Sequence, residues 1–402
     1  MKKIATLALC MLTLATAGAQ KATVDKANKL AGKTDQITEA RALIQEAIAN
    51  PETANDARTY FTAGKIEWDA YDKIDAISMV NPGDPRIDPL EMGKELVNGY
   101  NYFMKVLPLD SLPNAKGEVK PKYSKDIVNK VAAKHEDFFR AGANLFNAKD
   151  YYPAAYEAFM IYGDLPEAKY LGKKAPVVPD SVRSTSYFNA GLCAWSANKL
   201  PEAAKAFKAA RLSGYDKPEC YIYELAAYQN LQRDSTLAAK MHDNIVNVSK
   251  AGFEKFGMSQ PVFMSNLIQS MIDENKTADA LATLDQAIAS NPDVAALYGL
   301  RAFVYNHDGK DDQSVADYRK AAATPGCDFE TMKQAANKII RVGIQKLNDA
   351  DPTDGNLRNS IKNDYFIAAK NIAEAADAME PGDPTIANIL DNINYSLETY
   401  FK

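Results

Sequence analysis

Along most of the chain, small and apolar residues return every three or four positions with polar residues between them, and strict alternation is rare. That period is the one-sided stripe of an amphipathic helix, so the pattern predicts an all-α chain. The stripe is clearest in "RSTSYFNAGLCAWSANKLPEAAKAFKAARLSGYD", residues 183–216. There Tyr187, Gly191 and Ala194 mark one helix face and Ala203, Phe207 and Ala210 the next. "ANKLPEA" supplies the turn, with Pro201 in the first turn of the second helix, where its missing N–H costs nothing. Gly191 and Ala203 are small enough for two antiparallel helices to approach closely, while Tyr187 and Phe207 fill the space on either side.

A second spacing recurs far from this stretch. Ala280, Leu284, Ala287 and Pro292 repeat the intervals of Ala369, Ala373, Ala376 and Pro381, and Ala40, Ile44, Ala47 and Pro51 follow them with one residue fewer. Each set reads as the second helix of a hairpin, stopped by a proline that cannot continue it. The distance from Tyr187 to Tyr221 is 34 residues, and Met264 to Tyr298 is 34 again. Upstream, "FFRAGANLFNAKDYYPAAYEAF" offers Phe139, Ala143, Phe146, Ala155 and Phe159 at the same intervals.

These residues and their 34-residue period make the chain resemble the tetratricopeptide repeat family, over residues 137–322 and more loosely over most of the rest. The resemblance implies an all-α, right-handed superhelical solenoid of antiparallel helix pairs, with a groove lined by first helices that holds a protein or peptide. The expected layout is a signal peptide at 1–19, degenerate helical hairpins at 20–130 and a repeat array at 131–350. Insert loops are expected near 163–183 and 248–260, and a degenerate repeat with a capping helix at 351–402. Before Ser124, residues 56–79 read as a long first helix and 89–107 as its partner.

Composition narrows the function. The formal net charge is −5 and no basic stripe is present, which argues against nucleic acid as a partner. "MKKIATLALCMLTLATAGAQ" has Lys2 and Lys3, an apolar run too short to span a bilayer, and Ala17-Gly18-Ala19 before Gln20. This is the form of a secretory signal cleaved after Ala19. No transmembrane segment is expected after cleavage, and Leu9 before Cys10 makes a poor lipidation site. Export to the periplasm, or to the outer membrane's vicinity, follows as the expected location. The combination resembles exported repeat proteins of Bacteroidota envelopes.

Chemistry contributes little. Cys193, Cys220 and Cys327 are odd in number and widely spaced, so they read as small buried hydrophobes. His135, His242 and His307 stand apart from one another and read as surface or turn residues, and no metal site is expected. "NHDGKDD" at 306–312 has a calcium-like look but falls where the repeat needs its interhelix turn. No phosphate-binding glycine loop or nucleophile motif occurs, so neither catalytic residues nor cofactors are expected, and the chain is not read as an enzyme.

Carrying the family's groove positions onto this sequence selects Arg140, Asn144 and Asn147, then Phe188, Leu192 and Trp195. Ile222 and Gln229 follow, and Phe303 and Asn306 in a later repeat. Arg140, Asn144 and Asn189 also match three slots of the family's carboxylate clamp, but Glu219 and Tyr223 stand where two cations belong. The expected function is an exported adaptor or scaffold for a protein or peptide partner in the cell envelope. The alternatives are a ligand-capturing component of an outer-membrane nutrient-uptake system and a structural or oligomerising envelope protein.

Overall fold

The computed structural model describes residues 21–114 and 116–401; the expected signal peptide and Cys10 lie outside them. Nineteen α-helices, with short 3-10 turns and one π segment, make up most of the described residues, and no strand occurs among them. The chain is an all-α solenoid of helix pairs, divided into two compact units, one running to Ala238 and one starting at Ala239.

The first unit contains α1 (21–31), α2 (Ile37–Ala49), α3 (Ala57–Val80), α4 (Pro89–Asp110), α5 (Ser124–Ala133), α6 (His135–Phe146), α7 (Tyr152–Asp164), α8 (Asp180–Ser196), α9 (Leu200–Leu212) and α10 (Pro218–Gln232). The second contains α11 (Ala238–Phe256), α12 (Pro261–Asp273), α13 (Thr277–Ser290), α14 (Ala295–His307), α15 (Asp311–Ala323), α16 (Phe329–Asp349), α17 (Gly355–Ile361), α18 (Ala368–Met379) and α19 (Pro384–Tyr400). Several helices start on an aspartate whose carboxylate accepts first-turn N–H groups: Asp56, Asp88, Asp328, Asp354 and Asp383.

The alanine–proline spacing marks helices as expected. Ala40, Ile44 and Ala47 are the buried stripe of α2, and Ala369, Ala373 and Ala376 that of α18. In α13, Ala280 and Leu284 are buried and Ala287 is half-buried. The residues before the three prolines, Asn50, Asn291 and Glu380, all leave helical geometry, with ψ of 125°, 65° and 81°. A proline ring disfavours helical ψ in its predecessor, so each helix stops there.

Both expected insert loops are more ordered than their composition suggests. Residues 165–174 form two 3-10 turns that bury Leu165 and Leu171 in the core of α3–α7, beside Ile127 and Val131 of α5. Only 175–179 run extended into α8. The stretch near 248–260 is a correction: it stays helical to Phe256, so the extra residues lengthen α11, and the chain turns at Gly257 with φ +55°. The boundary at 130/131 falls inside α5, because Ile127 and Val131 belong to one buried stripe. The division at Ala238 falls within the expected array, after the turn at 233–237.

His135 is also a correction. It is buried at the start of α6, its ring stacked on Tyr162 at 4.2 Å with Nε2 3.3 Å from the Tyr162 carbonyl. His242 instead meets Glu274 at 2.9 Å, and His307 is exposed. Residues 308–310 form the turn expected between α14 and α15, with Gly309 at φ +69°.

Candidate partner-binding face

The α8–α9 hairpin shows how its sequence builds an aromatic ridge. Gly191 has no side chain where the Phe207 ring settles: a Cβ there would lie 2.4 Å from Cε1 of that ring. Phe207 therefore sits fully buried on Gly191 itself, closer in than a place to one side. Two half-buried residues then pack on it, Phe188 with ring centroids 5.7 Å apart and Tyr223 stacked at 5.3 Å. Phe188 also stacks on Tyr215 at 4.5 Å, and Trp195 meets Tyr223 edge-on at 5.6 Å. Each such pair contributes roughly 0.5–1.5 kcal/mol beyond the area it buries. Phe188 and Trp195 thus spend part of their surface docking α10 and keep the remainder accessible. Leu192 and Ile222 are half-buried, and Gln229 is exposed.

Tyr223 joins Phe188, Trp195 and Phe207, yet sequence reasoning placed it only as a missing clamp cation. Its signal is its position two residues after Tyr221, on the flank of α10 next to the buried Tyr221, Leu225 and Tyr228 stripe.

The residues chosen on α6 need a shift of register. Phe138, Gly142 and Leu145 are its buried stripe, and Gly142 lies under Phe159, where a Cβ would come within 2.8 Å of the ring. Phe139 meets Phe159 at 5.5 Å, as Phe188 meets Phe207. The α6 counterparts of Phe188, Leu192 and Trp195 are therefore Phe139, Ala143 and Phe146. Arg140, Asn144 and Asn147 lie one residue further on, all exposed. Arg140 is committed within the fold: its guanidinium donates to the Tyr71 hydroxyl (2.8 Å), Asp75 (2.8 Å) and Asp137 (2.9 Å). Burial would lower its pKa, but these partners outweigh that and hold it raised. Asn147 donates to the Ala143 carbonyl one turn back.

Phe303 and Asn306 belong to the second unit. Phe303 is half-buried against the cluster of Met264, Ile268, Leu297 and Val304, and Asn306 is exposed beside the α14–α15 turn. The ten candidate residues are thus distributed over both units.

Two polar features of the first unit were not foreseen. Arg41 of α2 reaches both α3 and α4, donating to Glu67 through Nε (3.1 Å) and Nη2 (2.7 Å) and to Glu95 through Nη2 (2.8 Å). Glu67 and Glu95 are both nearly buried and share this one guanidinium. Burial pushes the Glu95 carboxyl up to about 7; Arg41 draws it down, and Glu67 and Glu91 add to the rise. A cleft of about 320 Å³ opens beside Arg41, Gln45, Glu91 and Lys94. The other feature is a cleft of about 490 Å³ between the start of α8 and the end of α9. Arg183 lines it, engaged by the Gly163 carbonyl (2.8 Å), Glu167 and the Tyr187 hydroxyl (3.3 Å). The only sequence cue to either is charge at helical spacing, which an exposed helix shows as well.

Among the described residues, no group of three or more His, Cys, Asp or Glu could hold a metal ion. Cys193, Cys220 and Cys327 are all buried, and burial pushes the Cys193 thiol up to about 12.

No protein-family model matches the chain, and no curated protein matches it. Among solved structures, the RpL4 assembly chaperone Acl4 is similar over 68% of this chain and 96% of its own, at 12% identity and a TM-score of 0.34. Yeast Tom70 is similar over 95% and 89%, at 14% identity and 0.33. The TPR domain of P58(IPK) is similar over 94% and 99%, at 15% identity and 0.28. At TM-scores of this size the likenesses bear on neither superhelical shape nor function, and the all-α repeat architecture rests on the helix pairs themselves.

Proposed function

We propose that this chain is an exported, tetratricopeptide-like adaptor or scaffold that holds a protein or peptide partner in the cell envelope. The observation that carries this reading is the ridge of Phe188, Trp195 and Tyr223, which keeps aromatic surface accessible on the first helices of consecutive pairs. Aromatic side chains held rigid by their neighbours are favoured anchors in interfaces, because little conformational freedom is lost on binding. Leu192, Ile222 and Gln229 would extend the contact along α8 and α10.

The test places a photo-crosslinking residue at Leu192, Trp195 or Gln229, with Lys205 and Lys208 of α9 as exposed controls. A discrete crosslinked partner is expected from the α8 and α10 positions and not from α9. That partner should be lost in Phe188→Ala, with an unchanged thermal melt as the check on folding. Equal crosslinking from both helices refutes the assignment. Export is tested separately by the intact mass of the mature protein, which should begin at Gln20.

A further inference from the structure

The first helices of the first unit leave a narrow cleft of about 140 Å³ among them. Its walls are Ala31 at the end of α1, Ile37 at the start of α2, and Ala70, Lys73 and Ile74, which share one face of α3 at helical spacing. Ala31 and Ala70 contribute only a Cβ each, so small side chains keep the space open. The lining is mostly aliphatic, and Glu95 of α4 completes it.

A carboxyl group is out of place in such a wall, and this one is incompletely paired. Glu95 is 6% exposed; its Oε1 accepts from Arg41 at 2.8 Å, and among the described residues no donor reaches its Oε2. The same guanidinium also serves Glu67, so two nearly buried carboxylates share one cation. Glu91, the third carboxylate near Arg41, has a partner of its own in Lys94. Lys73 turns its ammonium to the Gly32 carbonyl at 2.6 Å. The group is therefore short of one positive charge. A buried carboxylate without a counter-charge keeps its proton instead, and burial holds the Glu95 carboxyl up to about 7. What the cleft lacks is a cation on an aliphatic stem. A space of this size takes about six carbon-sized atoms, enough for a short unbranched chain. A primary ammonium brings N–H donors for Oε2, whereas a quaternary one has none.

We propose that this cleft binds a primary alkylammonium group, its stem lying along Ile37, Ala70 and Ile74 and its N–H groups donating to Glu95 Oε2. The site uses no residue of the partner-binding ridge on α8 to α10, and either can fail without the other.

The test is a saturation-transfer NMR titration of the mature full-length chain with n-butylamine, n-butanol and n-butyltrimethylammonium. Butylamine should bind with an affinity on the order of millimolar, as so small a ligand allows. Its affinity should rise at least about ten-fold from pH ~5.5 to pH ~8.5, because Glu95 must lose its proton before it pairs while the amine stays charged throughout. Glu95→Gln should remove that pH dependence and weaken butylamine at least about ten-fold at pH ~8.5. Ala70→Leu, which fills the cleft, should block binding with an unchanged thermal melt; should the leucine unfold the chain, the glutamine variant decides alone. No transfer to butylamine at alkaline pH, butanol or butyltrimethylammonium bound as tightly as butylamine, or butylamine binding retained in Glu95→Gln overturns the proposal. Nα-acetyl-lysine N-methylamide then separates two sources of the group. Bound as butylamine is, it assigns the cleft to a lysine side chain of a partner protein; refused, it assigns the cleft to a free small amine.

Discussion

Replacing Glu95 with glutamine should stabilise the first unit at alkaline pH and leave it nearly unchanged at acid pH. Arg41 holds Glu67 at two points and Glu95 at one, so Glu95 is the second carboxylate on a single guanidinium. Glu91 also lies 3.6 Å from Arg41 but is paired with Lys94. The folded pKa of Glu95 stands at about 7 against 4.5 in its ordinary state, and burial is the main cause. A difference of that size is at most about 3 kcal/mol. Water in the adjoining cleft screens the charge, leaving roughly 1–2 kcal/mol. Because the folded state holds this proton more tightly than the unfolded chain, the stabilisation is fully present below about pH 4.5 and is lost as pH rises through about 7.

Glutamine stays neutral throughout and its oxygen can still accept from Arg41. The variant should therefore match the wild type near pH ~5 and exceed it by ~1–2 kcal/mol near pH ~8.5. Urea unfolding followed by tryptophan fluorescence reads the first unit selectively, because the only two tryptophans, Trp68 and Trp195, both lie in it. Trp68 donates its indole N–H to the Leu96 carbonyl at 2.9 Å, one residue from Glu95. Taking the difference between the two proteins at each pH cancels the other titrating groups. A flat difference would show that the fold leaves the Glu95 pKa unshifted, and a variant less stable than the wild type at alkaline pH would show that ionised Glu95 is a net stabilising partner of Arg41.

Two further predictions concern packing and the entry to α5. Gly191→Ala places a methyl group 2.4 Å from the Phe207 ring, so the first unit should lose roughly 1–3 kcal/mol in the same unfolding assay; an unchanged midpoint would mean that the ring moves freely. The Asp110 carboxylate, nearly buried, accepts from the backbone N–H groups of Lys122 (2.8 Å), Tyr123 (2.9 Å) and Ser124 (2.9 Å). Asp110→Asn leaves one of these donors without an acceptor, at a local cost of roughly 1–3 kcal/mol. Trypsin should then cut after Lys122 faster than in the wild type, and equal rates would show that Asp110 is not what holds this entry in place.

The alanine–proline spacing was a direct record of structure because it states both requirements of a second helix: a narrow buried stripe and a residue that stops it. The α6 register was not legible for the opposite reason. Phe138 and Phe139 are adjacent, as are Gly142 and Ala143, so two registers fit the pattern equally well. Only the Phe159 ring over Gly142 decides between them, and that is a contact between helices. Leu165 and Leu171 were hidden in a segment whose lysines and prolines read as solvent-facing, although α5 needs them to cover Ile127 and Val131. Of the candidate face, Phe188 and Trp195 were legible as aromatics at the right spacing. Their stacking on Tyr223 was not, since it depends on how α10 sits against α8 and α9.

The last helix sets a condition on redesign. α19 turns Ile386, Ile389 and Ile393 inward and exposes Asn388, Asp391, Asn392 and Glu398. The outward face of α19 is therefore mostly polar, with the Tyr395 and Tyr400 rings the exceptions, and not an apolar seat for another helix. Lengthening the second unit with a grafted hairpin would require replacing that polar face with an apolar stripe before any added helix could find a seat.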